Sequence, residues 1–394
     1  MILNGNNLAN RLYGTNLADQ MYGYDGDDFL WGYAGNDYLD GGNGNDTLYG
    51  GDGDDLFKAG VGDDYMDGGI GNDRFDGGAG ADRMIGGLGN DIFDGKEGND
   101  TIDGGDGHDA ILGGIGNDLI LGGAGEEYID AGDGDDTIYA GPGNDGFLNR
   151  VNPATGQVTQ QAVGGGAGND TIYGEGGDDA LKGQSGNDWL YGGDGNDRVD
   201  GGDGNNYLSG GIGDDILDSE TGIDKAYGGE GNDRIELGGG NDLAFGDGGN
   251  DQIGGEAGSD ILHGGAGNDI FYGGADADEL HGDAGVDTLI GETGADRLWG
   301  GADADRFIFK GYGIGQDTVM DFQDGLDRFV FEKNGIKSYS SSGAVGTVFA
   351  YDQADGDVLI RGLDGTGNQI SVLVDDPYGS LEASDFTSTD FLFA

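Results

Sequence analysis

Large apolar residues recur along this chain with a period of nine, and the positions between them are mostly glycine, acid and amide. From Gly23 the sequence reads Gly-Gly-x-Gly-x-Asp-x-U-x, where U is a large apolar residue. Gly41-Gly42-Asn43-Gly44-Asn45-Asp46-Thr47-Leu48-Tyr49 is a clean copy. The frame holds over 23–148 and, after a 16-residue interruption, over 165–308, giving 30 units. Position four is Gly in 28 units (Asp276 and Asp303 depart), position six is Asp in 28 (Glu127 and Asn206 depart), and position eight is large and apolar in 28 (Ala226 and Ala244 depart). Three positions held in phase over that length define a repeat architecture. Two degenerate units, 5–13 and 14–22, keep Leu12 and Met21 at position eight but have Leu8 and Leu17 where Gly belongs. Terminal capping repeats have that form, keeping the core contact and giving up the turn.

The spacing predicts the fold. An x-U-x triplet is too short for a helix and suits a three-residue strand with U inward and its neighbours outward. The glycine-rich hexapeptide is a turn, because glycine tolerates the left-handed backbone that turns need. One unit makes half a coil and two units, 18 residues, make a full coil, each advancing about 4.8 Å. The expected fold is all-β: a parallel β-roll, or β-helix solenoid, in two blocks with a C-terminal β-rich cap. Residues 1–22 are degenerate capping repeats, 23–148 the first block, 149–164 a linker or extruded loop, 165–308 the second block and 309–394 the cap. The roll either runs continuously past 149–164 or folds back there on a hinge.

Composition sharpens this picture. The 394 residues include 77 acidic and 17 basic ones, a net charge of −60, with 94 Gly, 3 Pro and no Cys. So acidic a surface does not bind nucleic acid by neutralising phosphates. Without Cys there is no disulfide framework and no thiolate metal site. No apolar run approaches the roughly 20 residues of a membrane span, so membrane insertion is not expected. High net charge ordinarily prevents a compact core. The acid is concentrated at position six, however, and position-six carboxylates 18 residues apart would stack about 5 Å from one another. Such a column needs cations between its members. Ca²⁺ suits it best, accepting six to eight oxygens in loose geometry and taking backbone carbonyls readily. Two blocks offer at most about 28 such gaps, on the order of +50 of charge.

The units resemble the calcium-binding nonapeptides of the repeats-in-toxin (RTX, haemolysin-type) family. The resemblance implies a right-handed parallel β-roll in which each Ca²⁺ lies between turns, held by position-six carboxylates and loop carbonyls. Carried over by position, the implied ligands are Asp28, Asp37, Asp46, Asp55, Asp64, Asp73, Asp82, Asp91, Asp100, Asp109, Asp118, Asp136 and Asp145 in the first block. In the second they are Asp170, Asp179, Asp188, Asp197, Asp215, Asp224, Asp233, Asp242, Asp251, Asp260, Asp269, Asp278, Asp287, Asp296 and Asp305. Glu127 is one methylene too long and Asn206 carries no charge, so the sites they line are in doubt.

Past Ile308 the repeat gives way to alternating β-branched and aromatic residues, with strands expected at 306–309, 317–322, 327–331, 346–351, 357–361 and 370–374. The stretches Gly315–Phe322 and Gly325–Phe331 are similar to the β-rich cap that closes RTX rolls. The end, Asp390-Phe391-Leu392-Phe393-Ala394, resembles an uncleaved type I secretion signal; the plainer reading is a last edge strand on the cap. Position nine in the second block carries Tyr173, Tyr191, Tyr227, Phe245, His263, His281 and Trp299 on one face, thickened by Trp189 and Tyr207 at position seven. The ladder has a shorter counterpart in Tyr13, Trp31, Tyr49 and Tyr139. It suits cross-strand stabilisation, contact with the other block or the tail, or a polysaccharide or cell-surface partner.

No His-Glu-x-x-His or Gly-x-Ser-x-Gly motif appears, and there is no Cys nucleophile. The expectation is a secreted, non-catalytic calcium-binding protein, exported C-terminus first through a type I exporter. It would fold on extracellular Ca²⁺ and serve in a matrix, surface, adhesion or host-interaction role. The rival is a detached C-terminal module of an alginate epimerase, protease or lipase that aids secretion and polysaccharide binding.

Overall fold

A computed structural model describes residues 1–146, 150–151, 158–159, 162–310, 315–332, 338–339, 347–353, 357–363, 369–375 and 381–393. The chain divides into two compact units, Met1–Tyr207 and Leu208–Ala394. Among the described residues there is no helix.

In the first unit each repeat contributes one strand, such as Phe29–Ala34, Tyr38–Asn43 and Thr47–Asp52. These strands are six residues long, twice the expected triplet, whereas others such as Leu119–Leu121 and Arg198–Asp200 keep to three. The six-residue strands run on from position seven through the two glycines to position three. Their partners lie 18 residues away in parallel register, Phe29 opposite Thr47 and Tyr38 opposite Leu56. Alternate repeats therefore build two parallel sheets. Along Thr47–Asp52 the inward residues are Leu48 and Gly50. Position eight supplies the core, a file of fully buried side chains that includes Leu39, Phe57, Phe75 and Phe93. The last three stack face to face, with ring centroids 4.7 and 4.6 Å apart.

The interruption does not end the roll. Ile138 pairs with Ile172 and Asp130 with Gly164, an offset of 34 in place of 18, so the coils continue in register past it. The extra residues leave the roll as an insertion, in which Arg150–Val151 pairs antiparallel with Val158–Thr159. Residues 147–149, 152–157 and 160–161 lie outside the described residues. The hinge alternative does not hold within this unit. At its start, Ile2–Asn4 and Arg11–Tyr13 pair with Gln20–Tyr22 and Phe29–Trp31, so the degenerate repeats do form coils.

The second unit repeats the architecture, with Leu243–Gly248 opposite Ile261–Ala266 and Ile270–Ala275 opposite Thr288–Thr293. Its end is closed by Arg306–Lys310, Arg328–Glu332 and Phe391–Phe393, which extend one sheet in parallel. Gln369–Val374 extends the other beside Gln316–Val319 and carries the antiparallel hairpin of Thr347–Asp352 and Val358–Leu363. The expected cap strands fall within about two residues of these, except that Met320–Phe322 bends away; residue 346 lies outside the described residues. Phe307, Phe322, Phe329, Phe386 and Phe391 pack as an aromatic plug under the last coil. The C-terminal Phe391–Phe393 is thus an edge strand of the cap.

Candidate metal centres

The turn that follows each strand buries its position-six side chain. Every aspartate of the implied ligand set is at most 3% exposed. Its two oxygens have different surroundings. Oδ1 accepts the backbone N–H of the position-six residue one coil earlier: Asp28 donates to Asp46 at 2.7 Å, and Asp251 to Asp269 at 2.8 Å. The insertion leaves this chain of contacts intact, since Asp136 donates to Asp170 and Asp145 to Asp179, both at 2.8 Å. Oδ2 is different. From Asp28 to Asp188 and from Asp233 to Asp305 it is buried in every position-six aspartate without a hydrogen-bond partner. One such orphan costs about 1–3 kcal/mol, and more when it is charged.

The glycines show what that oxygen faces. A Cβ built on Gly41 would lie 2.3 Å from Asp46 Oδ2 and 2.8 Å from the carbonyl oxygen of Ala59 on the next coil. On Gly264 it would lie 2.2 Å from Asp269 Oδ2 and 2.9 Å from the Gly282 carbonyl oxygen. Beside these position-one glycines, then, a small space is faced by a carboxylate of one coil and a carbonyl of the next, and a side chain would fill it. Position four is equally tight. Gly44 has φ +132°, and a Cβ there would stand 2.4 Å from the Gly26 carbonyl oxygen.

The electrostatics follow from burial. Desolvation, followed by like charge from adjacent coils, pushes the Asp46, Asp55 and Asp82 carboxyls up to about 7 and Asp179 to about 8, against an opposing hydrogen bond from the coil before. Isolated in this way, the column disfavours its own charged form. A hard cation reverses that preference. Among the described residues no three carboxylate, imidazole or thiol side chains converge on one point. An ion here would take its remaining oxygens from carbonyls, which suits Ca²⁺ and excludes a Zn²⁺ site built from nitrogen and sulfur.

The two departures behave differently. Glu127 is fully buried with no N–H or hydroxyl donor to either carboxylate oxygen, and burial, then carboxyl–carboxylate contact with Asp145, pushes its carboxyl up to about 10. Its Oε1 lies toward Gly125, on the position-four side of the loop. Asn206 keeps the structural contact, its Oδ1 accepting the Asp188 N–H at 3.0 Å.

Two members of the column escaped the sequence reading. Asp317 and Asp327 are buried and accept the N–H groups of Asp296 (3.3 Å) and Asp305 (3.0 Å), so they extend it into the cap. The signal was present: Gly315-Gln316-Asp317-Thr318-Val319 and Gly325-Leu326-Asp327-Arg328-Phe329 are the second half of the nonapeptide. Toward each end of the chain a buried carboxylate is satisfied by the protein itself. Thr15 N–H and Oγ1 donate to Asp19 Oδ2 at 2.6 and 2.9 Å, and Thr387 N–H and Oγ1 donate to Asp390 Oδ2 at 2.6 and 2.9 Å.

The outer ladder is a stack. In the first unit Tyr139, Tyr173 and Tyr191 lie 4.9 Å apart and within 8° of parallel, and Trp189 stacks on Tyr207 at 5.3 Å. In the second, Tyr227, Phe245, His263, His281 and Trp299 follow at 4.2–5.1 Å, with Arg297 5.0 Å from the centre of the Trp299 ring. Burial, then neighbouring His263, holds His281 below the usual imidazole range. In the shorter counterpart Trp31 and Tyr49 are tilted, 5.8 Å apart. Rings stacked this closely cover one another's faces and present their edges outward, the arrangement by which cross-strand aromatics stabilise a sheet.

A parallel β-roll whose turns are lined with buried, oxygen-only cradles is an ion-binding solenoid. The chain belongs to the RTX calcium-binding nonapeptide repeat family, whose repeat matches it in successive segments over 13–147 and 165–310. Two solved repeat subunits of the Azotobacter vinelandii mannuronan C5-epimerase are similar. AlgE6R3 is 27% identical over 34% of this chain and 78% of its own, with a TM-score of 0.27. AlgE6R2 is 21% identical over 50% of this chain and 92% of its own, with a TM-score of 0.18. No curated protein matches the chain.

Proposed function

We propose that this is a secreted, non-catalytic β-roll protein that is unfolded at the low calcium of the cytosol and folds on Ca²⁺ outside the cell. It would leave through a type I exporter and act in an extracellular matrix, surface, adhesion or host-interaction role. One observation carries the reading: file after file of buried Oδ2 atoms without a protein partner. A chain with −60 of formal charge gains little from burying carboxylates unless a cation neutralises them. Bound Ca²⁺ supplies that charge and fixes neighbouring coils to each other, so metal binding is folding free energy. The position-six carboxylates and the position-one carbonyls would hold it.

The test is a calcium titration followed by far-ultraviolet circular dichroism. A coil spectrum in chelator and a cooperative gain of β-structure toward millimolar Ca²⁺ is the expected outcome. Full β-structure in excess chelator would sink the proposal.

A further inference from the structure

One loop of the roll provides its own substitute for an ion. Asn206 stands at position six of the repeat that begins at Gly201 and is 3% exposed. Its Oδ1 takes the contact an aspartate Oδ1 takes elsewhere, the Asp188 N–H at 3.0 Å. Its Nδ2 turns back into its own loop and donates to the carbonyl oxygens of Gly202 (3.3 Å) and Gly204 (3.4 Å). The orientation of the amide follows from its neighbours. A flipped amide would set an NH₂ against the Asp188 N–H and an oxygen against two carbonyls.

Building on the calcium reading above, we infer that Asn206 closes its loop with an amide nitrogen in place of a calcium ion. Three observations converge. The atom that elsewhere is an orphaned carboxylate oxygen is here a donor with acceptors in reach. That donor draws on the carbonyl oxygens at positions two and four of its own loop, so the loop closes on a group of the protein itself. The residue carries no charge, so a dication placed there would have one fewer negative charge to balance it. The chain uses the same device in its first degenerate repeat, where Asn10 at position six turns its Nδ2 to the carbonyl oxygens of Asn6 (3.0 Å) and Leu8, and in the second, where Thr15 satisfies Asp19. Position six thus has two states in this molecule: an open Oδ2 that calls for an ion, and a group completed by the protein. Asn206 places the second state within the run of repeats, where its neighbours on either side in sequence, Asp197 and Asp215, are aspartates.

The experiment is native mass spectrometry of the full, Ca²⁺-loaded chain, comparing the wild type with N206D and N206A. N206D is expected to retain one more ion than the wild type. N206A is expected to retain the wild-type number while melting at a lower temperature, since it loses hydrogen bonds but no site. Equal ion counts in N206D and the wild type would overturn the inference, and so would loss of an ion in N206A, because Asn206 would then be a ligand. If N206D fails to fold, the N206A count still decides between these outcomes. Absence of retained calcium from every chain would instead overturn the calcium reading itself.

Discussion

Replacing Phe75 by Ala tests whether the core file and the ion column form one cooperative structure. Phe75 is 1% exposed and lies between Phe57 and Phe93, with ring centroids at 4.7 and 4.6 Å and planes within 5°. Truncating a buried phenylalanine costs about 3–5 kcal/mol, and the roll closes the cavity poorly because each coil is fixed by its neighbours. Lost ring contacts belong to the same range, so about 4 kcal/mol is the working figure. If folding takes up n ions together, the calcium midpoint moves by that energy divided by n and by about 1.4 kcal/mol per tenfold. With n of about ten, the shift is only about twofold in free Ca²⁺; with n of one or two it is on the order of thirtyfold or more. Circular dichroism in calcium buffers gives both the shift and the steepness. Their product, in energy units, should return about 3–5 kcal/mol whatever n is. Phe75→Leu should give a product of roughly 1–1.5 kcal/mol. A product below about 1 kcal/mol for Phe75→Ala would refute the argument that the position-eight file and the ions stabilise the same state.

Two further outcomes are expected. Glu127→Asp shortens the buried side chain and restores the Oδ1 contact made throughout the rest of the column, so the calcium midpoint should fall and the melting temperature at fixed Ca²⁺ should rise by the equivalent of about 1–3 kcal/mol; a lower melting temperature would contradict the geometry at that loop. The metal-free chain should respond to acid. Its folded-state carboxyls are raised, Asp64 to about 6 and Asp46 to about 7, from an ordinary 3.8. A raised carboxyl favours the folded form fully below the unfolded value and loses that effect as pH climbs through the folded value. In chelator, therefore, β-structure should grow as pH falls from about 8 to 5. An unchanged coil spectrum across that range would count against it.

Much of this was legible in the sequence because the repeat encodes geometry directly. A nine-residue period with one apolar and one acidic anchor sets the coil length, the two parallel sheets and the stacking of Asp28 under Asp46. Strand length was underestimated in many repeats because Gly-Gly-x reads as turn, although its backbone there still pairs with the coil beside it after a break in the pairing at position one. Asp317 and Asp327 were missed because their offsets from Asp296 and Asp305 grow to 21 and 22 residues and the first half of the motif is lost. Continuity past the insertion rests on pairing between Ile138 and Ile172, which a shift of frame conceals. The ladder residues were legible as a stripe, but the way their rings cover one another depends on side-chain torsions that composition does not specify.

The division of labour between the two carboxylate oxygens has a direction. Within each unit, the backbone N–H of a turn is received by the aspartate of the coil that follows, and the cradle beside Gly41 is completed by a carbonyl of the coil that follows. The exposed row at position five runs the other way, its backbone N–H received by the side chain of the coil before, as Asn45 donates to Asp27 at 3.0 Å and Asn72 to Asp54 at 2.9 Å. Cutting the roll is therefore not symmetrical. A piece that keeps its C-terminal side presents a last coil already held by Asp317, Asp327 and the phenylalanine plug. A piece that keeps only its N-terminal side ends in a turn whose amide and cradle are both open. Within each unit the buried column therefore has a grain, each turn's amide held by the coil on its C-terminal side, so that a finished coil is the template for its predecessor there.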